Sequence, residues 1–349
     1  MNQRCSRNNY IDAFRTICSF LVIFLHFPLP GLFGKITAPL TRIAVPFFFA
    51  VSGYYFFKGD KKEENHVIGK RVIRLLKLLA CSELVYFSFY LLLEFNAFGF
   101  GMHSIKSLLD AYVSNYSKNM PGWPLALVPL CNEVGWFLLA LCVVYLIMYI
   151  ANSVNITKHL WIFSITYLCL HMIIRRIRLF IGIDIAVSER FILCMPLFFF
   201  LLGYQIHKNQ GKLSNISMTK LVVTFIVGCL LSIAECFIFT HTIYIGTILC
   251  VFSLILICVA LPKTNEAKFI CLLSSIGHYH TDFIYIMHLL IINNAGHVLS
   301  KIVPKLVIHP LYSWFVPVYG CILVTLCAVA FRTIVEGIRR IFANFKTAS

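Results

Sequence analysis

The chain has 349 residues, of which 60% are hydrophobic and 13% are charged, and its mean hydropathy is +0.84. Soluble domains carry nearer a quarter charged residues, so this composition excludes a water-soluble protein. The apolar residues cluster in blocks of about 20, the helical length that crosses a bilayer core of roughly 30 Å. These blocks are continuous rather than alternating, which excludes an outer-membrane β-barrel. We therefore predict an all-α, polytopic integral membrane protein.

The formal net charge is +16, from 30 Lys and Arg against 14 Asp and Glu. The basic residues lie in short segments between apolar blocks, so they indicate membrane orientation and attraction to anionic lipid rather than nucleic-acid binding. Most of the 14 cysteines lie inside apolar runs, where Cys acts as a small hydrophobic residue. There is no Cys-x-x-Cys pair, and we expect no metal site.

We predict ten membrane-spanning helices. The first contains Arg15 and His26, which interrupt its apolar run, and no small-x-small cleavage site follows it, so we expect a retained helix rather than a signal peptide. In chain order the predicted spans are 11–31, 40–57, 72–94, 134–151, 159–174, 190–206, 220–239, 242–262, 279–299 and 310–333.

The distribution of Lys and Arg sets the predicted orientation. With the N-terminus inside, cytoplasmic segments carry nineteen basic residues and outer segments ten, and the segment 58–77 alone carries seven. We therefore predict cytoplasmic N- and C-termini. One outer loop departs from the rule, and it signals either a topology error or a functional cluster. Its arginines are Arg175, Arg176, Arg178 and Arg190.

The longest predicted loop, 95–133, is outside and contains Pro121-Gly122-Trp123-Pro124. Loops of this length act as lids or binding elements, or simply as solvated connectors, and both alternatives stay open. We predict a single transmembrane domain over 1–349 with no appended soluble domain.

A weak internal repeat joins two predicted spans. The segment Pro46–Tyr54 reads PFFFAVSGY, and Pro196–Tyr204 reads PLFFFLLGY. Each opens a span that is predicted to run from outside to inside. Such a pattern is consistent with a parallel repeat, although Phe-rich segments also match by chance.

Polar residues at lipid depth are costly, at about 2.5–3.5 kcal/mol for a central charge on insertion scales, so each needs a reason. Arg15 and His26 are eleven residues apart, which places them on one helix face about 16 Å apart along the axis. Asp12 can pair with Arg15 at a spacing of three. A cationic anchor and a titratable base on one line suit an anionic cytoplasmic donor and an outer nucleophile. The alternative is a snorkelling Arg and a His satisfied by a neighbouring helix.

Other polar residues at lipid depth are weaker candidates. His288 lies within a span six residues after Asp282, and interhelical hydrogen bonding is the commoner role for a histidine at this depth. The sequence has no Gly-x-Ser-x-Gly elbow, Walker loop or His-Glu-x-x-His motif, so those enzyme classes find no support. The remaining candidates are the carboxylates Glu83, Glu133 and Glu235.

Ile11-Asp12-Ala13-Phe14-Arg15, followed by ten residues and His26, resembles the first helix of the membrane acyltransferase-3 family. Further segments agree with that family's motifs in the right order, although the stretch Gly277–His288 departs from the usual late pattern. These segments are Val45–Tyr54, Trp136-Phe137-Leu138, Arg190–Tyr204 and Tyr285-x-x-His288.

This resemblance implies a ten-helix fold in the bacterial inner membrane and transfer of an acyl group, usually acetyl from acetyl-CoA, to a hydroxyl of a surface or lipid-linked polysaccharide. It implies acetyl-CoA as co-substrate, no metal, and as partners a glycan acceptor and the lipid bilayer. The oligomeric state is not predicted.

The resemblance also implies roles for particular residues. Arg15, with Arg71 and Arg74, would draw the donor phosphates, and His26 would act as general base or carry the acyl group. Arg190 and its neighbouring arginines would hold an acidic glycan or lipid pyrophosphate. Trp136 and His288 match motif positions and are further candidates for substrate binding.

Two competing interpretations remain at this point. One is a transporter or flippase for a glycan or small polar molecule, with Arg15, Glu83, Glu235 and His288 lining its pathway. The other is the second large family of membrane-bound O-acyltransferases, which does not explain Arg15 and His26 on one face.

Overall fold

A computed structural model of the chain describes residues 8–98, 105–107, 110, 132–181, 193–238, 243–262 and 267–348. These residues form helices and no strands. A 3₁₀ turn at Glu133–Gly135 precedes the fifth helix. In chain order the helices are α1 Asn9–His26, α2 Gly31–Thr41, α3 Ala44–Phe56, α4 Lys61–Phe98, α5 Trp136–Ser153, α6 Thr157–Ile181, α7 Met195–Lys208, α8 Gln210–Leu213, α9 Met218–Ile238, α10 Ile245–Ala260, α11 Lys268–Tyr279, α12 Thr281–Ile302, α13 Pro304–Ile308 and α14 Tyr312–Ala348.

Each of the ten predicted spans falls mainly on one of these helices. Within the described residues, seven helical segments are long and apolar enough to cross a membrane. The predicted number of ten spans and the cytoplasmic termini stay predictions. The seven segments are Gly31–Phe56, Lys61–Leu93, Trp136–Ser153, Thr157–Ile177, Met218–Ile238, Thr281–Ile302 and Tyr312–Ile341.

Two predicted loops are helical instead. The basic segment 58–77 belongs to α4 from Lys61 onward, because Lys, Arg and Glu are good helix formers and acidic residues in the first turn suit the helix dipole. Helix α6 likewise continues to Ile181, so Arg175, Arg176 and Arg178 lie in a helix rather than in the predicted outer loop. Hydropathy marks where a chain becomes polar, not where its helix ends.

The chain divides into two compact units. Residues 45–260 form the larger one, and the segments before and after them form the other. A core of phenylalanines from α3 and α7 lies in the larger unit, where Phe47, Phe49, Phe199 and Phe200 have no exposed surface. The prediction of a single domain over 1–349 stays a prediction.

Helices α3 and α7 approach closely at two glycines. A Cβ added to Gly53 would lie 1.8 Å from the carbonyl oxygen of Phe200, and one added to Gly203 would lie 1.8 Å from that of Ala50. The two contacts are equivalent, because residues 50 and 53 correspond to residues 200 and 203 in the repeat, at a constant offset of 150 residues. Only glycine permits backbones to meet so closely.

Aromatic side chains at the C-terminal ends of α3 and α7 also form two equivalent contacts. The Phe57 ring meets Tyr204 edge-on at a centroid distance of 5.0 Å, and His207 stacks on Tyr54 at 4.4 Å. Equivalent residues lie at the same height along both helices, which therefore run parallel about a local two-fold axis. The repeat predicted from the sequence is thus also a repeat of contacts.

In the smaller unit, α1 packs tightly on α11. A Cβ on Gly277 would lie 1.8 Å from the backbone oxygen of Asp12, so a side chain there would separate the helices. The Thr16 hydroxyl donates to the Leu273 carbonyl oxygen at 2.6 Å. This packing fixes the polar end of α1 against α11. An apolar cluster from α1, α12 and α14 extends the core, through Ile23, Ile284, Ile292, Cys321, Val324 and Ala328.

Candidate active site

Helix α1 carries both principal site residues predicted from the sequence. Asn8 caps it, because its side-chain oxygen accepts from the backbone N–H groups of Tyr10 and Ile11. The helix runs unbroken to His26, so Arg15 and His26 are about 16 Å apart along one axis. Both residues face α12, as the contacts below show.

The first polar cluster surrounds Arg15. Its guanidinium donates to Asp12 Oδ1 at 3.2 Å, which confirms the predicted pairing at a spacing of three. A second nitrogen lies 3.8 Å from Asp282 Oδ1, in the first turn of α12. His278 Nδ1 lies 3.8 Å from the other oxygen of Asp12. Arg15 is therefore held between two carboxylates contributed by two helices.

The second polar cluster pairs His26 with His288. Their ring centroids are 5.2 Å apart and the rings are inclined by 50°. His26 is exposed in the last turn of α1, whereas His288 on α12 has no exposed surface. The sequence analysis named both histidines as candidate site residues, but no sequence pattern predicts that residues 26 and 288 are neighbours.

Backbone contacts fix the tautomer of neutral His288. Its Nδ1 lies 2.7 Å from the Tyr285 carbonyl oxygen and 3.2 Å from that of Ile284. Carbonyl oxygens only accept, so Nδ1 carries the hydrogen and the lone pair is on Nε2. That Nε2 is buried and makes no hydrogen bond within the described residues. The buried His288 thus has a proton-accepting nitrogen and lies beside the exposed His26.

Arg71, predicted to draw the donor phosphates, packs inside the larger unit. Its guanidinium donates to the Tyr55 carbonyl oxygen at 2.9 Å and to the Tyr145 hydroxyl at 3.0 Å. It also lies over the rings of Phe56 and Tyr145, at 5.7 and 5.5 Å from their centroids. Arg71 therefore joins α4 to α3 and α5, while Arg74, one turn further along α4, is exposed.

The other predicted site residues are more scattered. Trp136 opens α5 and lies 6.3 Å from Phe49 between ring centroids. Arg190 and the segment Pro121–Pro124 lie outside the described residues. The structure therefore brings Arg15, His26 and His288 onto α1 and α12 of one unit.

One arginine of the predicted outer cluster forms a largely buried ion pair. Arg176 on α6 donates to Glu235 on α9, and the second Glu235 oxygen accepts from the Gly246 backbone N–H at 3.1 Å. The sequence analysis marked Glu235 and Arg176 separately and did not join them. A charge neutralised in this way carries less weight in an orientation rule that counts exposed loop cations.

Comparison with known proteins identifies the family. The family profile described as an acyltransferase domain, that of acyltransferase-3, matches residues 8–332, nearly the whole chain. A serine/alanine racemase of Enterococcus gallinarum is 37% identical over 76 residues, which are 20% of this chain and 11% of the racemase. The chain thus matches only a small part of that relative's length. No solved structure matches the chain.

The matched segment contains the α1, α3, α5, α7 and α12 motifs on which the resemblance depended. The apolar helices and the family together indicate a multi-pass membrane protein. The family supports an acyltransferase activity and gives no support to the transporter alternative. The chain belongs to the acyltransferase-3 family.

Proposed function

We propose that this acyltransferase moves an acetyl group from cytoplasmic acetyl-CoA to a hydroxyl of a surface or lipid-linked polysaccharide. The observation that carries the proposal is the pairing of exposed His26, on the helix that also holds Arg15, with buried His288 on α12. A base that reaches an acceptor hydroxyl and an anchor for an anionic donor are the two parts that such a transfer needs.

The donor end of this mechanism is Arg15. Its guanidinium would bind the phosphates of acetyl-CoA at the predicted cytoplasmic end of α1. The flexible pantetheine arm would then bring the thioester along α1 toward His26, about 16 Å away. Arg74, exposed on α4, is a second candidate for the phosphates.

The acceptor end is His26. As general base, its ring takes the proton of the acceptor hydroxyl while that oxygen attacks the thioester carbonyl carbon. The carbon–sulfur bond then breaks, and the CoA thiolate takes the proton from the His26 ring. Alternatively, a His26 ring nitrogen attacks the thioester carbonyl carbon, the carbon–sulfur bond breaks and CoA leaves as the thiol with the ring proton. The acceptor hydroxyl then attacks the acetyl carbon, the nitrogen–acetyl bond breaks, and His26 takes the hydroxyl proton. In both routes His288 supports His26, because the lone pair on His288 Nε2 stabilises a proton on the adjacent His26 ring.

Incorporation of radiolabelled acetyl from acetyl-CoA into cell-surface polysaccharide tests this proposal. We expect labelling with the wild type and none with His26→Ala at equal protein levels. His297→Ala is the matched control, because His297 is an exposed histidine on α12 away from the pair. Its labelling should equal that of the wild type.

Two results contradict separate parts of the proposal. Equal labelling by His26→Ala and the wild type removes His26 from the chemistry. If the wild type gives no label with acetyl-CoA but gives one with succinyl-CoA, the donor is wrong while the reaction class is right.

A further inference from the structure

The cluster around Arg15 sets one guanidinium between two carboxylates, those of Asp12 and Asp282. The phosphates of an acyl-CoA are negative as well. In this arrangement a donor phosphate approaching Arg15 also approaches a like charge, which opposes its binding.

The two carboxylates hold Arg15 differently. Asp12 is 5% exposed and lies at hydrogen-bond distance, 3.2 Å. Asp282 is 41% exposed and lies at 3.8 Å. Exposed ion pairs contribute little to protein stability, whereas leaving a buried carboxylate without its cation strongly destabilises the folded protein. Asp282 is therefore the partner that can leave.

The position of Asp282 also makes its departure inexpensive. It lies in the first turn of α12, where the helix dipole favours a carboxylate even without a neighbouring cation. Asp12 meanwhile keeps the guanidinium in place from α1. Arg15 thus has one fixed partner and one exchangeable partner.

We propose that Asp282 is a positioning residue that occupies Arg15 between turnovers and yields it to a phosphate of the acyl donor. This inference rests on the proposed function, in which Arg15 binds those phosphates. By competing for the same guanidinium, Asp282 weakens the binding of donor and CoA alike. The product CoA consequently leaves more readily after transfer.

Equilibrium binding of CoA to the detergent-purified full chain tests the inference. Asp282→Asn should bind CoA roughly three- to fivefold more tightly than the wild type, the scale of one exposed ion pair. Asp282→Glu should behave like the wild type because it keeps the competing charge. The matched control is Glu63→Gln, since Glu63 is likewise an exposed carboxylate in the first turn of its helix, α4. It should leave CoA affinity unchanged.

Pantetheine, which lacks the phosphates, separates an electrostatic role from a structural one. Its affinity should be the same for the wild type and Asp282→Asn. In acetyl transfer, Asp282→Asn should lower the KM for acetyl-CoA without raising kcat.

The outcomes distinguish failure of the inference from failure of the proposed function. If Arg15→Gln weakens CoA binding but Asp282→Asn does not strengthen it, the inference is wrong and the proposed function stands. If Asp282→Asn strengthens CoA and pantetheine binding equally, the effect is structural and the inference is again wrong. If the wild type does not bind CoA, or Arg15→Gln binds it equally well, the donor site is wrong and the inference fails with it.

Discussion

Replacing Gly203 by alanine tests the parallel packing of α3 and α7. The new Cβ would lie 1.8 Å from the Ala50 carbonyl oxygen, and real Cβ atoms do not approach within 3.0 Å, so the backbones must separate by at least 1.2 Å, the difference of these two distances. The obstacle is backbone, which no side-chain rotation relieves. A gap of about 0.5–1 Å already forfeits a quarter to a half of each dispersion contact it opens.

We expect Gly203→Ala to lower the free energy of unfolding by about 1–3 kcal/mol, the usual cost of overpacking. Reduced freedom of the unfolded chain offsets about 0.4–1 kcal/mol of any such change. Because the contacts are reciprocal, Gly53→Ala should have a similar effect. The two together should cost less than the sum, since either substitution already separates the helices.

The measurement is the fraction of detergent-purified protein that stays monodisperse after heating, followed by size-exclusion chromatography. Gly69→Ala is the matched control, because a Cβ there meets nothing within 4 Å and alanine favours the exposed helix α4. Equal thermal midpoints for Gly203→Ala, Gly53→Ala and Gly69→Ala would refute the close approach of the two backbones.

Three further predictions concern polar groups. Glu235→Gln should destabilise the protein in the heating assay. The loss should be somewhat less than the about 3–5 kcal/mol typical of a broken buried pair, because the Arg176 side chain is 23% exposed. Adding Arg176→Gln should restore part of the lost stability, and no restoration would argue against the ion pair. Arg71→Lys should cost roughly 1–3 kcal/mol because an ammonium cannot reproduce both hydrogen bonds of the planar fork, whereas Arg74→Lys on the exposed face should change little. His288→Phe removes both ring nitrogens and places a larger ring in a fully buried position, so it should lower stability by about 1–3 kcal/mol and lose roughly tenfold or more in acetyl transfer per folded protein. Transfer at the wild-type rate would exclude His288 from the mechanism.

The helical segments were largely predictable because long apolar blocks have few alternatives in a bilayer. The predicted spans left out most of α2 and α11, whose sequences are short or amphipathic, and they did not include the polar ends of α4 and α6. A helix depends on backbone preference as well as on apolarity, so polar good helix formers extend it beyond the apolar block.

The candidate site was predictable only where it is local. The pairing of Asp12 with Arg15 and the common face of Arg15 and His26 follow from helical periodicity. The proximity of His26 to His288 depends on how α1 and α12 pack, which no local pattern records. The same holds for Asp282, which the sequence placed near His288 and the structure places beside Arg15.

Helix α4 has a mechanical consequence that its composition alone does not suggest. Its 38 residues measure about 57 Å, whereas a bilayer core takes roughly 30 Å, so about half of it extends beyond the apolar layer. It contains no proline and a single glycine, Gly69, and so has few points at which to kink. Arg71 fastens it to α3 and α5 about 15 Å from its first residue, and Glu64 and Asn65 near its start hydrogen-bond to Asn152 and Ser153 of α5. A displacement of the basic end is therefore passed on to α5 rather than absorbed by a bend in α4.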